Sequence, residues 1–180
     1  MINTSNNIQV QKSREAIANA LFSLMKNESY HEITITQICQ EAHIARQTFY
    51  RNFTLKGDVL TYYFSSRFLE FTQKYPDTEN FAQNLSNLFR DFPIPRDILF
   101  LLKKQNIFYL LEQNMVDFLE YSQQKYKFKR LLDTPRYDNY LHSFIVSTIN
   151  STLSCWIENN FEQDPKELTQ IVIQLLSSVN

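Results

Sequence analysis

One glycine, Gly57, stands in a chain of 180 residues. Loops that lay several backbone amides on a phosphate, of the GxGxxG or GxxxxGK kind, need glycine at more than one position, so those nucleotide sites are excluded. With five prolines, so little glycine also argues against an all-β fold built from many tight turns. The chain has to spend its length on elements that need few turns.

Helical periodicity runs almost throughout. Ile17, Ala20, Leu21 and Leu24 follow the i, i+3, i+4, i+7 spacing of one buried helical face. After the turn NESYHE comes ITITQ, a complete helix start. Thr34 is the expected N-cap, Gln37 completes a capping box, and Ile33 with Ile38 forms a hydrophobic staple. The short helix that follows buries Ile35, Ile38, Cys39 and Ala42. A break at His43-Ile44 leads to a third helix, from about Ala45 to Asn52. Thr54 is placed to cap a longer fourth helix carrying Val59, Leu60, Tyr63, Phe64, Phe68 and Phe71.

A fifth helix is expected from about Glu79 to Asp91, ending at the FPIP prolines. Helix then fills Arg96 to about Leu132, with an interruption near Gln105-Asn106. Residues 137 to about 160 carry a stripe of Tyr140, Leu141, Phe144, Ile145, Thr148, Ile149, Leu153, Trp156 and Ile157. Asp164 caps the last helix, with Pro165 in its first turn and a stripe of Leu168, Ile171, Val172, Leu175, Leu176 and Val179. The expected fold class is all-α: an N-terminal three-helix head (residues 1–56) and a larger C-terminal helical body (57–180).

The segment HIARQTFYRNF, residues 43 to 53, mixes two kinds of residue. Ile44, Phe49 and Phe53 belong in a core, whereas Ala45, Arg46, Gln47, Tyr50 and Arg51 are expected to face outward. Two short helices joined tightly, the second presenting cationic and amide groups, form a helix-turn-helix whose second helix enters the major groove of double-stranded DNA. An arginine such as Arg46 fits guanine O6/N7 and a glutamine such as Gln47 fits adenine N6/N7, each good pair discriminating by ~1–3 kcal/mol. The hydroxyls of Thr34, Thr36 and Tyr50 and the Lys56 ammonium suit phosphate oxygens, which set register without reading sequence. Residues 1–56 hold six Lys/Arg against four Asp/Glu, and the remainder twelve against fifteen, a modest bias toward a DNA-facing front end.

In this order, ITITQICQEA, HIARQTFYRNF and TLKGDVL, the first third of the chain resembles the TetR family of bacterial transcription regulators. Members show a threonine-led helix, an A-G-V-S turn, a T-F-Y-x-x-F recognition helix and a lysine opening the fourth helix. Thr48, Phe49, Tyr50 and Phe53 match that pattern, and so does Lys56. His43 replaces the turn glycine, Ala45 the serine and Gly57 the common glutamate. The resemblance implies a body that forms a homodimer through its last two helices, which would place Leu141, Ile145, Ile149, Trp156, Ile171 and Leu175 at the interface. It also implies a pocket for a small-molecule effector, with release of a roughly palindromic operator when it fills.

Twenty-one of the 26 aromatic residues lie in 62–180. Phe64, Phe68, Phe89, Phe108, Phe118 and Phe144 are pocket candidates, although aromatics at helical spacing serve a plain core equally well. His142 is read as an interface residue or a ligand contact, and KYKFKR (125–130) as a solvated face or a second phosphate strip. Cys39 and Cys155 show no metal or disulfide spacing. With no carboxylate pair, nucleophile elbow or histidine cluster, no catalytic, metal or cofactor site is expected. The polar N-terminus and the absence of a ~20-residue apolar run point to a cytoplasmic protein without a membrane span. Two functions remain distinct: a repressor freed by a ligand, or an activator or interaction module whose body binds a partner protein.

Overall fold

The computed structural model describes residues 4–76, 78, 80–125 and 138–177, among which there are nine helices and no strand. They are α1 (Thr4–Met25), α2 (Ile35–Glu41), α3 (Arg46–Asn52), α4 (Lys56–Lys74), α5 (Phe81–Arg90), α6 (Arg96–Lys104), α7 (Tyr109–Lys125), α8 (Asp138–Glu158) and α9 (Pro165–Ser177). The all-α expectation holds.

The head is α1 packed on α2, α3 and the start of α4. Ile17, Leu21 and Met25 of α1 are fully buried, on the face that the spacing predicts. The start of α2 is as read. Thr34 Oγ1 accepts from the Gln37 amide at 3.2 Å, and Gln37 Oε1 accepts from the Thr34 amide at 2.9 Å. Each closes an amide that the first helical turn leaves open. Ile33 and Ile38 of the staple are both buried. At the break, His43 takes a left-handed φ of 52°, which costs a non-glycine residue of order 1 kcal/mol. The Ile44 amide, donating to Cys39 O at 3.0 Å, secures the turn.

The start of α4 differs from expectation. Leu55, not Thr54, is the N-cap residue, and Asp58 reaches back to accept from the amides of both Thr54 (2.8 Å) and Leu55 (2.7 Å). The N3 carboxylate ties down the two residues that lead into the helix, while no N-cap side chain closes the amides of the first turn. Helix α5 begins with Asn80 as cap rather than at Glu79, because the Asn80 side chain accepts from the Gln83 amide. The interruption at Gln105-Asn106 is present, Asn106 taking φ 55°.

In the body, α4 runs on to pack against α7, α7 against α8, α8 against α6 and α9, and α9 against α5. Its core is aromatic: Phe68 stacks on Phe118 with centroids 4.6 Å apart, and Trp156 meets Phe161 edge-on at 4.8 Å. Asp164 caps α9 by accepting from the Lys166 amide at 2.8 Å. The KYKFKR strip lies outside the described residues beyond Lys125, as do the side chains of Leu141, His142, Leu176 and Val179.

Candidate nucleic-acid interface

Helix α3 is held from beneath. Phe49 is fully buried and Phe53, its C-cap residue, nearly so, with ring centroids 5.9 Å apart. Phe53 also faces Tyr62 of α4 at 5.7 Å, and the Arg14 guanidinium of α1 lies over both rings. Arg14 Nε donates to Asn52 Oδ1 at 3.3 Å, while Asn52 Nδ2 donates to Thr48 O at 2.8 Å. The helix is therefore fixed to α1 and α4 through one face and its C-terminal end.

Its other face is free. Ala45, Arg46, Gln47, Tyr50 and Arg51 are all exposed, Tyr50 by 50%. Thr48 is half-buried, and Thr34 and Thr36 are exposed at the start of α2. Arg46 Nη2 sits 3.5 Å from the Tyr50 hydroxyl, one helical turn away. From Ala42 to Gly57 the chain carries three cations and no carboxylate. Glu41, just before it, accepts from Ser23 Oγ at 2.8 Å. Beneath this surface, burial pushes the Cys39 thiol up, with Arg46 opposing, so the thiolate, the reactive form, is disfavoured.

Lys56 is not part of that free face. Its ammonium donates to three main-chain carbonyls: Tyr30 O, His31 O at 3.2 Å and Ile33 O at 2.7 Å. It also sits 4.5 Å from the Tyr30 ring centroid. An ammonium has three protons, and all three are taken. Burial pushes its pKa down. The expected phosphate contact is thus replaced by a clamp on the loop that precedes α2. Sequence reading missed this because the acceptors are main-chain atoms 23 to 26 residues away.

In the body, Phe64, Phe68, Phe89 and Phe108 are buried and Phe118 is half-buried. Phe68 stacks on Phe118, Phe64 and Phe89 meet Tyr63 and Trp156 edge-on, and the Lys103 ammonium lies over the Phe108 ring. Phe144 is 43% exposed and points outward. A shallow groove of about 240 Å³ is lined by Lys26, Asp97, Ile98, Phe100, Leu101 and Lys104, and shares none of the six pocket candidates. The α8 and α9 stripes divide in two. Ile145, Ile149 and Trp156 are buried in the chain's own core, while Tyr140, Phe144, Ile171 and Leu175 face outward. The two helices are apolar around more of their circumference than one stripe, so spacing alone could not separate inner from outer faces.

Asn150 on α8 is 91% buried by its 9% exposure, and its Oδ1 has no hydrogen-bond partner among the described residues. An unpaired buried amide oxygen costs about 1–3 kcal/mol. Asn150→Leu is expected to raise the unfolding free energy by about 1–2 kcal/mol, read by urea denaturation; a loss would mean that the amide is satisfied in solution.

Against known proteins, no family model matches the chain. It is 30% identical over 118 residues to the HTH-type dhaKLM operon transcriptional activator DhaS of Lactococcus lactis subsp. lactis (strain IL1403). That match takes in 63% of each protein, so the aligned part spans less than two thirds of the relative's length. Among solved structures, a TetR transcriptional regulator from Streptococcus agalactiae 2603V superposes with a TM-score of 0.66 at 20% identity, covering 96% of this chain and 98% of that one. The chain has the fold of TetR-type regulators.

Two further solved structures share this fold. Dihydroxyacetone kinase operon activator DhaS superposes with a TM-score of 0.55 at 22% identity, over 92% of this chain and 94% of that one. The transcriptional regulator FadR from Bacillus subtilis, in complex with stearoyl-CoA, gives 0.52 at 23% identity, over 90% and 96%. These neighbours are named as regulators of transcription, not as enzymes. Among the described residues, no helix is long and apolar enough to cross a membrane. No group of three or more His, Cys, Asp or Glu side chains among them could hold a metal ion.

Proposed function

We propose that this chain is a DNA-binding transcriptional regulator that presents α3 to the major groove of operator DNA in the cytoplasm. One observation carries the reading: Arg46, Gln47, Tyr50 and Arg51 share the free face of a helix whose opposite face is sealed by Phe49 and Phe53. Residues 1–56 act as the DNA-binding unit and 57–180 as the effector-binding and dimerisation unit, with α4 continuous between them. Arg46 and Gln47 read base edges. Tyr50, Arg51, Thr48, Thr34 and Thr36 address the backbone, with Ala45 close to it.

A homodimer on a roughly palindromic operator suits such a head, because one seven-residue helix contacts too few base pairs for a selective site. The outward apolar side chains on α8 and α9 supply a surface for a second copy. The relative's name as an activator supports activation over repression as the direction of control. The effector is a small molecule bound in the body. The alternative, a partner protein docked on the body, uses the same exposed residues Tyr140, Phe144, Ile171 and Leu175.

The test is binding of the purified protein to the DNA upstream of its own gene across a salt series. Affinity is expected to fall steeply as salt rises, since phosphate neutralisation releases counterions. Absence of binding, or binding indifferent to salt, overturns the reading. A transcription reporter on the same DNA gives the sign of control.

Two substitutions separate the assigned roles. Gln47→Ala is expected to cost ~1–3 kcal/mol on the preferred operator and little on variants altered at one base position. Arg51→Ala should weaken all sequences alike and reduce the salt slope by about one. A uniform loss for Gln47→Ala would remove it from the base-reading set.

A further inference from the structure

The corner between α6 and α7 reaches the head through one side chain. Gln105, the first residue past α6, donates from Nε2 to Met25 O at 2.6 Å and to Glu28 O at 2.9 Å, and its Oε1 accepts from the Tyr30 amide at 2.9 Å. Both amide protons and the carbonyl are used. The corner itself is well determined. Asn106 adopts φ 55°, and the Ile107 amide donates back to Leu102 O at 3.0 Å, with Ile107 and Leu102 fully buried.

The three residues it holds are the ones on which the head's geometry turns. Met25 ends α1. Glu28 Oε2 accepts from Gln37 Nε2 at 2.6 Å, and Gln37 is the partner in the α2 capping box. Tyr30 O is one of the carbonyls on which Lys56, the first residue of α4, closes. A single amide from 75 to 80 residues away thus binds the α1 end directly, and reaches the α2 cap through Glu28 and the α4 start through Tyr30.

We propose that Gln105 is a positioning residue that couples the α6–α7 corner of the body to the helix-turn-helix, holding the α1–α2 turn in the geometry that presents α3. With the corner seated, the turn and the α2 cap are fixed. When the corner moves, the carbonyls of Met25 and Glu28 lose their donor, and α2 and α3 are released to a wider set of positions. The consequence for DNA rests on the regulator reading above; the coupling itself does not.

The test is hydrogen exchange along the full chain, with DNA affinity as a second arm. Gln105→Ala should raise exchange across the α1–α2 turn and α2 by about tenfold or more while leaving α8 and α9 as in the wild type. Gln105→Glu keeps the acceptor for Tyr30 N but sets a carboxylate against two carbonyls. It should match the alanine variant at about pH 7.5 and recover part of the way toward wild type at about pH 4, where the protonated carboxyl donates its single hydrogen to one of the two carbonyls. The titratable groups around the corner are Lys26, Glu28, Tyr30, His31, Lys56, Lys104 and Tyr109. Wild type and the alanine variant, taken through the same acid series, control for them.

Operator affinity should fall about fivefold or more in both variants at neutral pH and return in part with acid only for the glutamate. Unchanged exchange at the turn in Gln105→Ala overturns the proposal. Exchange raised equally in every helix overturns it too, since that is loss of packing alone, and so does a glutamate variant without acid recovery. A wild type that binds no DNA defeats the regulator reading while the exchange arms still decide the coupling.

Discussion

Phe49→Ala is expected to lower the unfolding free energy by about 3–5 kcal/mol and to abolish operator binding at temperatures where most of the chain is still folded. Phe49 has no exposed surface and meets Phe53 tilted and Tyr50 edge to face, with centroids at 5.9 and 5.7 Å. Deleting its ring removes the apolar contact that seats α3 and leaves a void beneath that helix, where it packs on α1 and α2. A helix of seven residues cannot sustain itself in water, because the cost of nucleation exceeds what so few hydrogen bonds return. The loss should therefore concentrate in α3 rather than spread evenly. Urea denaturation measures the stability term, and hydrogen exchange at Arg46–Asn52 locates it. Phe49→Leu, which keeps most of the apolar volume, should restore much of both. A Phe49→Ala protein of wild-type stability would mean that α3 is seated by other contacts.

What could be read from sequence follows the range of the interactions involved. The capping box of Thr34 and Gln37, the staple of Ile33 and Ile38, and the Asp164 cap all act within five residues, and each is found where spacing places it. The outward set on α3 was legible for the same reason: Phe49 and Phe53 commit one face of a short helix to the core, which leaves Arg46, Gln47, Tyr50 and Arg51 to the other. The α4 cap was misplaced by one residue because Asp58, at N3, accepts from the amides of Thr54 and Leu55 and so fixes Leu55 as the N-cap, although leucine has no capping group of its own.

Long-range partners left no local trace. Nothing in the sequence around Gln105 points to the carbonyls of Met25 and Glu28, because backbone acceptors are present at every position and carry no residue-type signal. The stripes of α8 and α9 failed differently. Apolar residues surround so much of these helices that Ile145, Ile149 and Trp156, inside the chain, look the same in spacing as Ile171 and Leu175 outside it. The body aromatics showed the ambiguity stated for them: Phe68 and Phe118 fill space by stacking on each other, while Phe144 reaches the surface.

Lys56→Met is expected to abolish high-affinity DNA binding on every sequence, and the cause should be structural. A phosphate contact and a carbonyl clamp make opposite predictions for this residue. Loss of a phosphate-binding lysine leaves stability nearly unchanged, weakens binding moderately and reduces the salt slope by about one. Loss of the clamp strands the carbonyls of Tyr30, His31 and Ile33, which the ammonium now satisfies. Hydrogen bonds to a charged group contribute about 1.5–3 kcal/mol each when desolvated. Solvent reaches this half-buried site, and the methionine retains the apolar stem, so the net loss should be about 2–4 kcal/mol. Methionine is the informative substitute because it removes the charge and donors without opening a cavity along the chain of methylenes. The expected record is a lower urea midpoint, faster exchange from Tyr30 to Ile33, and an unaltered salt slope for whatever binding survives in folded molecules. Wild-type stability together with a shallower salt dependence would return Lys56 to the DNA-facing set. It would also mean that the three carbonyls find other donors, water being the one within reach of an exposed His31. The loop before α2 would then be held by Gln105 from the body side alone, and the head would depend on the α6–α7 corner more heavily still.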